Sequence, residues 1–424
     1  MRVLHAATHL APLSGAPSGA CLRYLVEAQG RREVDVAVVV PAPENLEPGR
    51  FGLARRIDPL PVPTPTGPTE VAIFEGQLPS GRARLFAVEG AGLDDELFGR
   101  AALAIADAYD LGPDVVHAHD NRALRALAVA SDQGIAARIA TVRHPRDLDL
   151  AGLDAAARIV APGPSCAAAL RNAEFAGAET ADFFGRNADR LRGISDGVED
   201  LDPRYVAALP SHYWVDNMAG KAACKDKLQQ QLSLPRRPAA PLIGFAPAAP
   251  GDLGLVASCG AALADLGAQV VFAVDPVWSG ASELSALAGA HPLSLAVLET
   301  PTAETTGISH RVFGGADFAL LPSEYDWAAP NPLACLRFGT MPIVRYGTGL
   351  SDQVVDFDAE TGSGNAIAIL NPSAEGILAA VRRAVAAHDQ PTFPSAVERA
   401  LRADLSWRTA AHRYFEVYGE LRDR

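Results

Sequence analysis

The run from Asp114 to Asp120, DVVHAHD, sets two imidazoles and a carboxylate at one end of a short apolar segment. Histidine and carboxylate are the side chains that move protons near neutral pH. His117 and His119 lie inside a buried-strand pattern, however, so core histidines satisfied by hydrogen bonds are the simpler reading. Asp120, at the end of the strand, is the group free to face a ligand. A second candidate place is APAAPGDLG, which follows the apolar segment Leu242–Phe245. Turns that leave a strand and open a helix can cradle phosphate on backbone N–H groups. This turn has no Lys or Arg, and Asp252 would repel an anion. Cys21, Cys166, Cys224, Cys259 and Cys335 are scattered and odd in number, with no CxxC. That argues against a disulfide framework or a zinc site and for a reducing cytoplasm. No G-x-S-x-G elbow supports a Ser-His-Asp reading, and no G-x-G-x-x-G follows a strand. No metal or cofactor is expected.

Elements that could position these residues alternate along the chain. Met1–Ala7, Val34–Val40, Asp114–His119, Ala137–Thr141 and Arg158–Ala161 read as strands, the β-branched run Val34–Val40 as one buried on both faces. Val71–Phe74 and Arg84–Val88 read as a β-pair. Ala20–Glu27, Leu97–Tyr109 and Asn121–Ser131 read as helices. The Pro/Gly/Thr-rich stretch Pro41–Thr69 reads as a long surface loop. After a Pro-rich basic linker, Gln230–Pro241, the alternation restarts with strands at Leu242–Phe245, Gln269–Val274, Leu293–Leu298, Phe318–Leu321 and Met341–Val344 and a helix at Leu255–Leu266. The end of the chain reads as an amphipathic helix. The expected fold is α/β, two doubly wound parallel sheets with ligands at the carboxyl ends of the strands.

At 424 residues the chain is long enough for two cores. Its formal net charge of -13 repels phosphate backbones and anionic lipid, so nucleic acid and membrane surfaces are not expected partners. The N-terminus reads as a first strand rather than a signal peptide, and no apolar run of about 18 residues appears.

The motifs, taken in order, resemble the bacterial glycogen synthases and plant starch synthases. The anchors are DVVHAHD, GISDGV at Gly193–Val198, KAACKDKLQQQLSLP at Lys221–Pro235, PLIGF at Pro241–Phe245, HRVFGGADFALLPS at His310–Ser323, RFGTMPIVR at Arg337–Arg345 and DLSW at Asp404–Trp407. The resemblance covers almost the whole chain, which is shorter than usual, mainly after Thr141. It implies the GT-B fold: two Rossmann-like domains facing a central cleft, at 1–232 and 233–400, with a C-terminal helix at 401–424 packing near the first. It also implies retaining transfer of glucose from ADP-glucose to an α-1,4-glucan.

At the positions where that chemistry resides the chain departs from the family. The first loop carries Gly15, Pro17, Ser18 and Cys21 where the family has Lys, Gly-Gly and Asp. Asn121 and Arg122 stand for Trp-His. Arg143 stands where the family has a histidine that meets the sugar 6-hydroxyl, with His144 next to it as a substitute. Ala248 and Leu253 stand for the Arg and Lys that clamp the pyrophosphate, while Gly254 is kept. Losing two charge-assisted contacts of this kind costs on the order of 10³-fold each. Glu304 stands where a Tyr stacks on adenine, Asp326 for the family's Glu, Ala329 for Gly, and Pro332 for Gln. Asn331 fits its position.

The resemblance therefore gives Asp120 and Asp326 as catalytic candidates and His144, Gly254 and Asn331 as substrate-binding candidates. The expected function is a synthase-like protein of α-glucan metabolism with lost or strongly reduced transfer. It would act by binding a glucan, a nucleotide sugar or another synthase chain. The alternative is an active retaining transferase with a rebuilt donor site, for which Arg143, Arg23 and Arg345 are the candidate cations.

Overall fold

The structure is a computed structural model that describes residues 1–32, 34–78, 82–143, 145, 147–247, 253–300, 305–322, 327 and 331–422. It divides into two compact units. Unit 1 comprises Met1–Gly197, Trp327–Pro330 and Leu405–Arg424; unit 2 comprises Val198–Asp326 and Asn331–Asp404.

Unit 1 begins with β1 (Arg2–Ala6), α1 (Pro17–Gly30), β2 (Asp35–Pro41), β3 (Ala54–Arg55), β4 (Leu60–Val62), β5 (Thr69–Gln77) and β6 (Arg84–Glu89). It continues with α2 (Asp95–Ala108), β7 (Val115–Ala118), α3 (Leu124–Asp132), β8 (Ala137–Thr141), α4 (Leu150–Leu153) and β9 (Arg158–Ala161). Three short helices, α5 (Pro164–Ala169), α6 (Ala173–Ala176) and α7 (Ala178–Arg186), lead to β10 (Leu191–Gly193). The sheet order is β10-β9-β8-β7-β1-β2-β6-β5-β3, with β4 also on β5. The strands from β10 to β6 are parallel, and β5 pairs antiparallel with β6 and with β3 and β4. The chain leaves β1 toward β2 on one side and later fills β7 on the other, so the switch point lies between β1 and β7.

The sequence explains these elements. Residues 36–40 of β2, AVVV and its preceding Val, are all buried. Proline opens α1, where its missing N–H costs nothing. Asp94 caps α2 by accepting from Leu97 N at 2.8 Å, and Asp95 and Glu96 add negative charge to that first turn. The stretch 41–69 is not a bare loop. A 3₁₀ turn at Pro48–Phe51 and strands β3 and β4 lie within it. Leu60 and Val62 alternate inward around an exposed Pro61, and a proline is tolerated on such a peripheral strand. Composition hid this two-residue period.

Unit 2 contains α8 (Ala219–Gln231), β11 (Leu242–Phe245), α9 (Leu253–Ala264), β12 (Gln269–Val274), α10 (Ala281–Ala290), β13 (Leu295–Glu299) and α11 (Thr305–Gly315). After these come β14 (Phe318–Leu321), β15 (Met341–Arg345), β16 (Ile367–Ile369), α12 (Ala374–His388) and α13 (Phe393–Arg402). Its sheet is parallel throughout, in the order β13-β12-β11-β14-β15-β16. Unit 2 begins at Val198. Helix α8, on the near side of the Pro-rich stretch, is tied into unit 2: Lys225 Nζ meets Asp317 Oδ2 at 2.6 Å, and Gln229 Nε2 donates to Gln269 Oε1 at 2.6 Å.

The last helix, α14 (Trp407–Arg422), belongs to unit 1. Trp407, Ala410, Ala411, Tyr414, Val417, Tyr418 and Leu421 form its buried face, a helical period that packs on α1 and the sheet. Gly197 is required here, because a Cβ would run into the backbone of Trp407. No helix of the described residues is long and apolar enough to cross a membrane.

Candidate functional site

In unit 1 a pocket of about 200 Å³ opens at the carboxyl ends of β1, β7 and β8, beside the switch point. Thr8, Asp120, Asn121, Thr141, Arg143 and Asp147 supply much of its polar lining. Asp120 follows β7, and both of its oxygens are engaged. Thr8 N donates to Oδ2 at 2.5 Å, while Thr8 Oγ1 and Ala123 N donate to Oδ1 at 2.8 and 3.1 Å. The carboxylate thereby joins the loop after β1 to the first turn before α3. Asn121 braces the far wall: its Nδ2 donates to Asp147 O at 2.8 Å, and its Oδ1 accepts from Asp149 N at 3.1 Å. Arg122 is held by Leu93 O at 2.7 Å and Asp95 Oδ1 at 3.1 Å.

Arg143 occupies the floor. Its Nη1 and Nη2 donate to Asp196 Oδ2 and Oδ1 at 2.5 and 2.9 Å, and Nη1 also donates to Trp327 O at 2.8 Å. Arg143 is 4% exposed and Asp196 1%. Burial works against the guanidinium charge, but the facing Asp196 more than offsets it and holds the pKa well above the ordinary arginine value. Trp327 is itself stacked on Phe175, ring centres 5.8 Å apart. The cation is a structural fork rather than a group waiting for an anion.

Beneath the pocket lie three buried imidazoles. His5 and His117 are register partners on adjacent strands, and His119 follows on β7. His5 Nδ1 meets His119 Nε2 at 2.8 Å, and His5 Nε2 meets Gln29 Oε1 at 2.7 Å. His117 Nδ1 meets Tyr418 Oη at 2.8 Å, and its Nε2 meets Thr141 Oγ1 at 2.7 Å. Burial lowers the pKa of His5 to about 4, and it pushes His117 and His119 well below the ordinary histidine value. Ring nitrogens of the three lie within 4.8 Å of one another. A divalent ion fits them poorly: both ring nitrogens of His5 and of His117 are spent on hydrogen-bond partners, and His119 Nε2 is held by His5. His117 and His119 are thus the hydrogen-bonded core histidines that the sequence favoured.

In unit 2, Leu253 opens α9 with its side chain fully buried among Val256, Phe245 and Val274 of the core. At Gly254, next along the helix, a Cβ would meet no described atom within 4 Å. Asn331 is buried and caps the 3₁₀ helix Pro332–Phe338, its Oδ1 accepting from Leu333 N at 3.0 Å.

The sequence pattern of the glycosyl transferase 4-like domain family matches residues 18–207. A glycogen synthase of Anaeromyxobacter dehalogenans (strain 2CP-C) is 31% identical over 99% of this chain and 100% of its own length. The chain belongs to the glycogen synthase family. Over a shorter range, a glycogen synthase of Anaeromyxobacter sp. (strain Fw109-5) is 36% identical, covering 54% of this chain and 49% of that protein. The catalytic domain of starch synthase IV from Arabidopsis thaliana, solved with ADP and acarbose, aligns over 100% of both chains with a TM-score of 0.84 at 19% identity. Sucrose-phosphate synthase from Thermosynechococcus elongatus aligns at a TM-score of 0.62, 14% identity and 99% coverage of each. The fold is GT-B.

Within this glycogen synthase relative, the three described site candidates are divided between the two units. Asp120 lines the unit 1 pocket, while Gly254 and Asn331 belong to unit 2. Asp326 and His144 lie outside the described residues, as do Ala248, Ala329 and Glu304. Gly15 leaves open space at its missing Cβ, and Cys21 is buried in the core of unit 1. Two of the three candidate cations are otherwise employed: Arg143 as above, and Arg23 against Glu27 Oε1 at 3.0 Å. Sequence reasoning passed over Asp196, His5, Gln29 and Tyr418. A histidine on each of two neighbouring aliphatic strands was the available signal for the first pair of imidazoles; nothing local announces their partners.

Proposed function

We propose that this glycogen synthase relative has lost rapid glucosyl transfer from ADP-glucose and works by binding a saccharide in the unit 1 pocket, in service of α-glucan metabolism. The observation that carries the reading is Arg143. It stands at the position where the family resemblance puts a histidine on the sugar 6-hydroxyl, and its donors are spent on Asp196 and Trp327 O. A guanidinium so held neither replaces that histidine nor turns toward a leaving phosphate. Leu253, at the position of a pyrophosphate-clamping lysine, is core instead. Arg122 also lines the pocket but is held by Leu93 O and Asp95, and the remaining polar lining is carboxylate, carboxamide and hydroxyl, which suits a polyhydroxylated ligand better than an anion. At about 200 Å³ it lies below the roughly 300–1,000 Å³ of drug-sized pockets, room for about one sugar ring. The five cysteines are buried and outside any disulfide, which supports a reducing, cytoplasmic setting.

An active retaining transferase is the second reading. Gly254 favours it, because an open glycine in the first turn of α9 is where backbone can approach a phosphate. Purified protein given labelled ADP-glucose and glycogen separates the two. No elongation is expected, with calorimetric heat from a maltooligosaccharide and none from ADP. Elongation at the rate of an ordinary synthase establishes the second reading and removes the first.

A further inference from the structure

Helix α14 joins unit 1 only after the chain has built unit 2. It brings two phenols, Tyr414 and Tyr418, to the buried imidazoles, and Tyr418 is bonded into them. Gln29 Nε2 donates to Tyr418 Oη at 3.0 Å, and Gln29 Oε1 accepts from His5 Nε2. Every other proton follows. His5 Nδ1 must accept from His119 Nε2–H. The Tyr418 hydroxyl donates to His117 Nδ1, so His117 Nε2–H donates to Thr141 Oγ1. Reversing the Gln29 amide reverses each bond and still leaves every imidazole with one proton.

A further proton on His5 or His117 breaks a bond of this chain. On His5 Nδ1 it would confront the His119 N–H across 2.8 Å. On His117 Nδ1 it would turn an acceptor into a donor and strip the Tyr418 hydroxyl of its acceptor. The surrounding charges do not help. Arg143 beside His117 and His119 is positive, and its partner Asp196 is already committed to it. Tyr414 and Tyr418 of α14 and Cys21 of α1 are neutral groups whose acid forms persist at low pH. Strands β1, β7 and β8 are bound to one another by backbone ladders. Tyr418 links the network to an element outside the sheet and α1, and Tyr414 of the same helix lies beside His117 and Thr141.

We propose that α14 is a latch on unit 1 that opens in mild acid, with His5, His117, His119 and the Tyr418 hydroxyl as its catch. Opening admits water, and the imidazoles then take up protons that the closed packing refuses. Each imidazole that does so shifts the equilibrium toward the open form tenfold per pH unit.

Hydrogen exchange on the full chain from pH 7.5 to 4.5 tests this, with rates normalised to the unstructured reference at each pH. Peptides covering α14 should lose protection at least tenfold per pH unit below about pH 6, before those covering β2 or β15. Tyr418→Phe should already lower α14 protection at pH 7.5, and His5→Gln, polar but not titratable, should make the acid response less steep. The proposal fails if α14 and β2 lose protection together, if α14 stays protected to pH 4.5, or if Tyr418→Phe leaves α14 unchanged. It fails equally if zinc chloride at pH 7.5 raises α14 protection, since the imidazoles would then be metal ligands.

Discussion

Arg143 and Asp196 face each other as a two-pronged fork inside unit 1, with N–O distances of 2.5 and 2.9 Å and almost no exposure on either side. Both charges have left water, and each justifies the other. Replacing Arg143 with Met leaves a carboxylate buried without its cation, a change that costs roughly 3–5 kcal/mol. Asp196→Leu should cost a similar amount. The double variant should recover most of the loss, because a buried pair exchanged for apolar groups is often near neutral. Urea unfolding of the four proteins checks this; simple additivity of the two single losses would contradict the coupling.

Asp120 separates a scaffold from a catalyst. It accepts from Thr8 N, Thr8 Oγ1 and Ala123 N. Asp120→Ala should destabilise unit 1 by about 1–3 kcal/mol, the usual cost of buried donors left unmade. Asp120→Asn, which keeps one carbonyl acceptor, should lose clearly less. Thermal unfolding reads the order. A carboxylate whose business is only with a ligand would leave both variants as stable as the parent.

Most strands and the two-sheet architecture could be read from the sequence because buried parallel strands are continuous aliphatic runs, as at Val36–Val40 and Gln269–Val274. The site was harder to read, for a physical reason. Arg143 presents itself in sequence as a cation of unknown employment, and its partner is 53 residues away. His5 reads as one polar interruption in an apolar strand. Its meaning comes from parallel register with His117 and from a phenol on α14, neither of which is local. Leu253 differs again: the resemblance marked it as a lost lysine, and only packing shows that the replacement has become core.

That packing makes a restoration experiment informative. Leu253→Lys returns the residue type that the family resemblance expects at the start of α9. The side chain would enter a fully buried apolar cluster with Phe245 and Val256. An ammonium in such surroundings has its pKa depressed by about 3 units or more, equivalent to about 4 kcal/mol at neutral pH. The variant should unfold at markedly lower urea concentration and gain no affinity for ADP by calorimetry. ADP binding in a stable Leu253→Lys protein would mean that the position can still reach a phosphate.

The acid response of overall stability follows from the same three imidazoles, and its direction is fixed. Their folded pKa values lie below the ordinary 6.5, His5 at about 4 and the other two well below, chiefly through burial. Below pH 6.5 the unfolded chain therefore binds protons that the folded chain does not. Stability is full above that pH and is lost as the pH falls toward 4. His5 alone, with about 4 against 6.5, accounts for about 3 kcal/mol across the window at about 1.36 kcal/mol per pH unit. With all three contributing, the slope approaches about 4 kcal/mol per pH unit near pH 5. Urea midpoints measured from pH 7.5 to 4.5 should be flat at first and then fall steeply. His5→Gln should reduce the steepness by about one proton, even where it lowers the plateau. A midpoint that stays level through pH 5 in the parent protein would mean that these histidines are not held neutral by the fold.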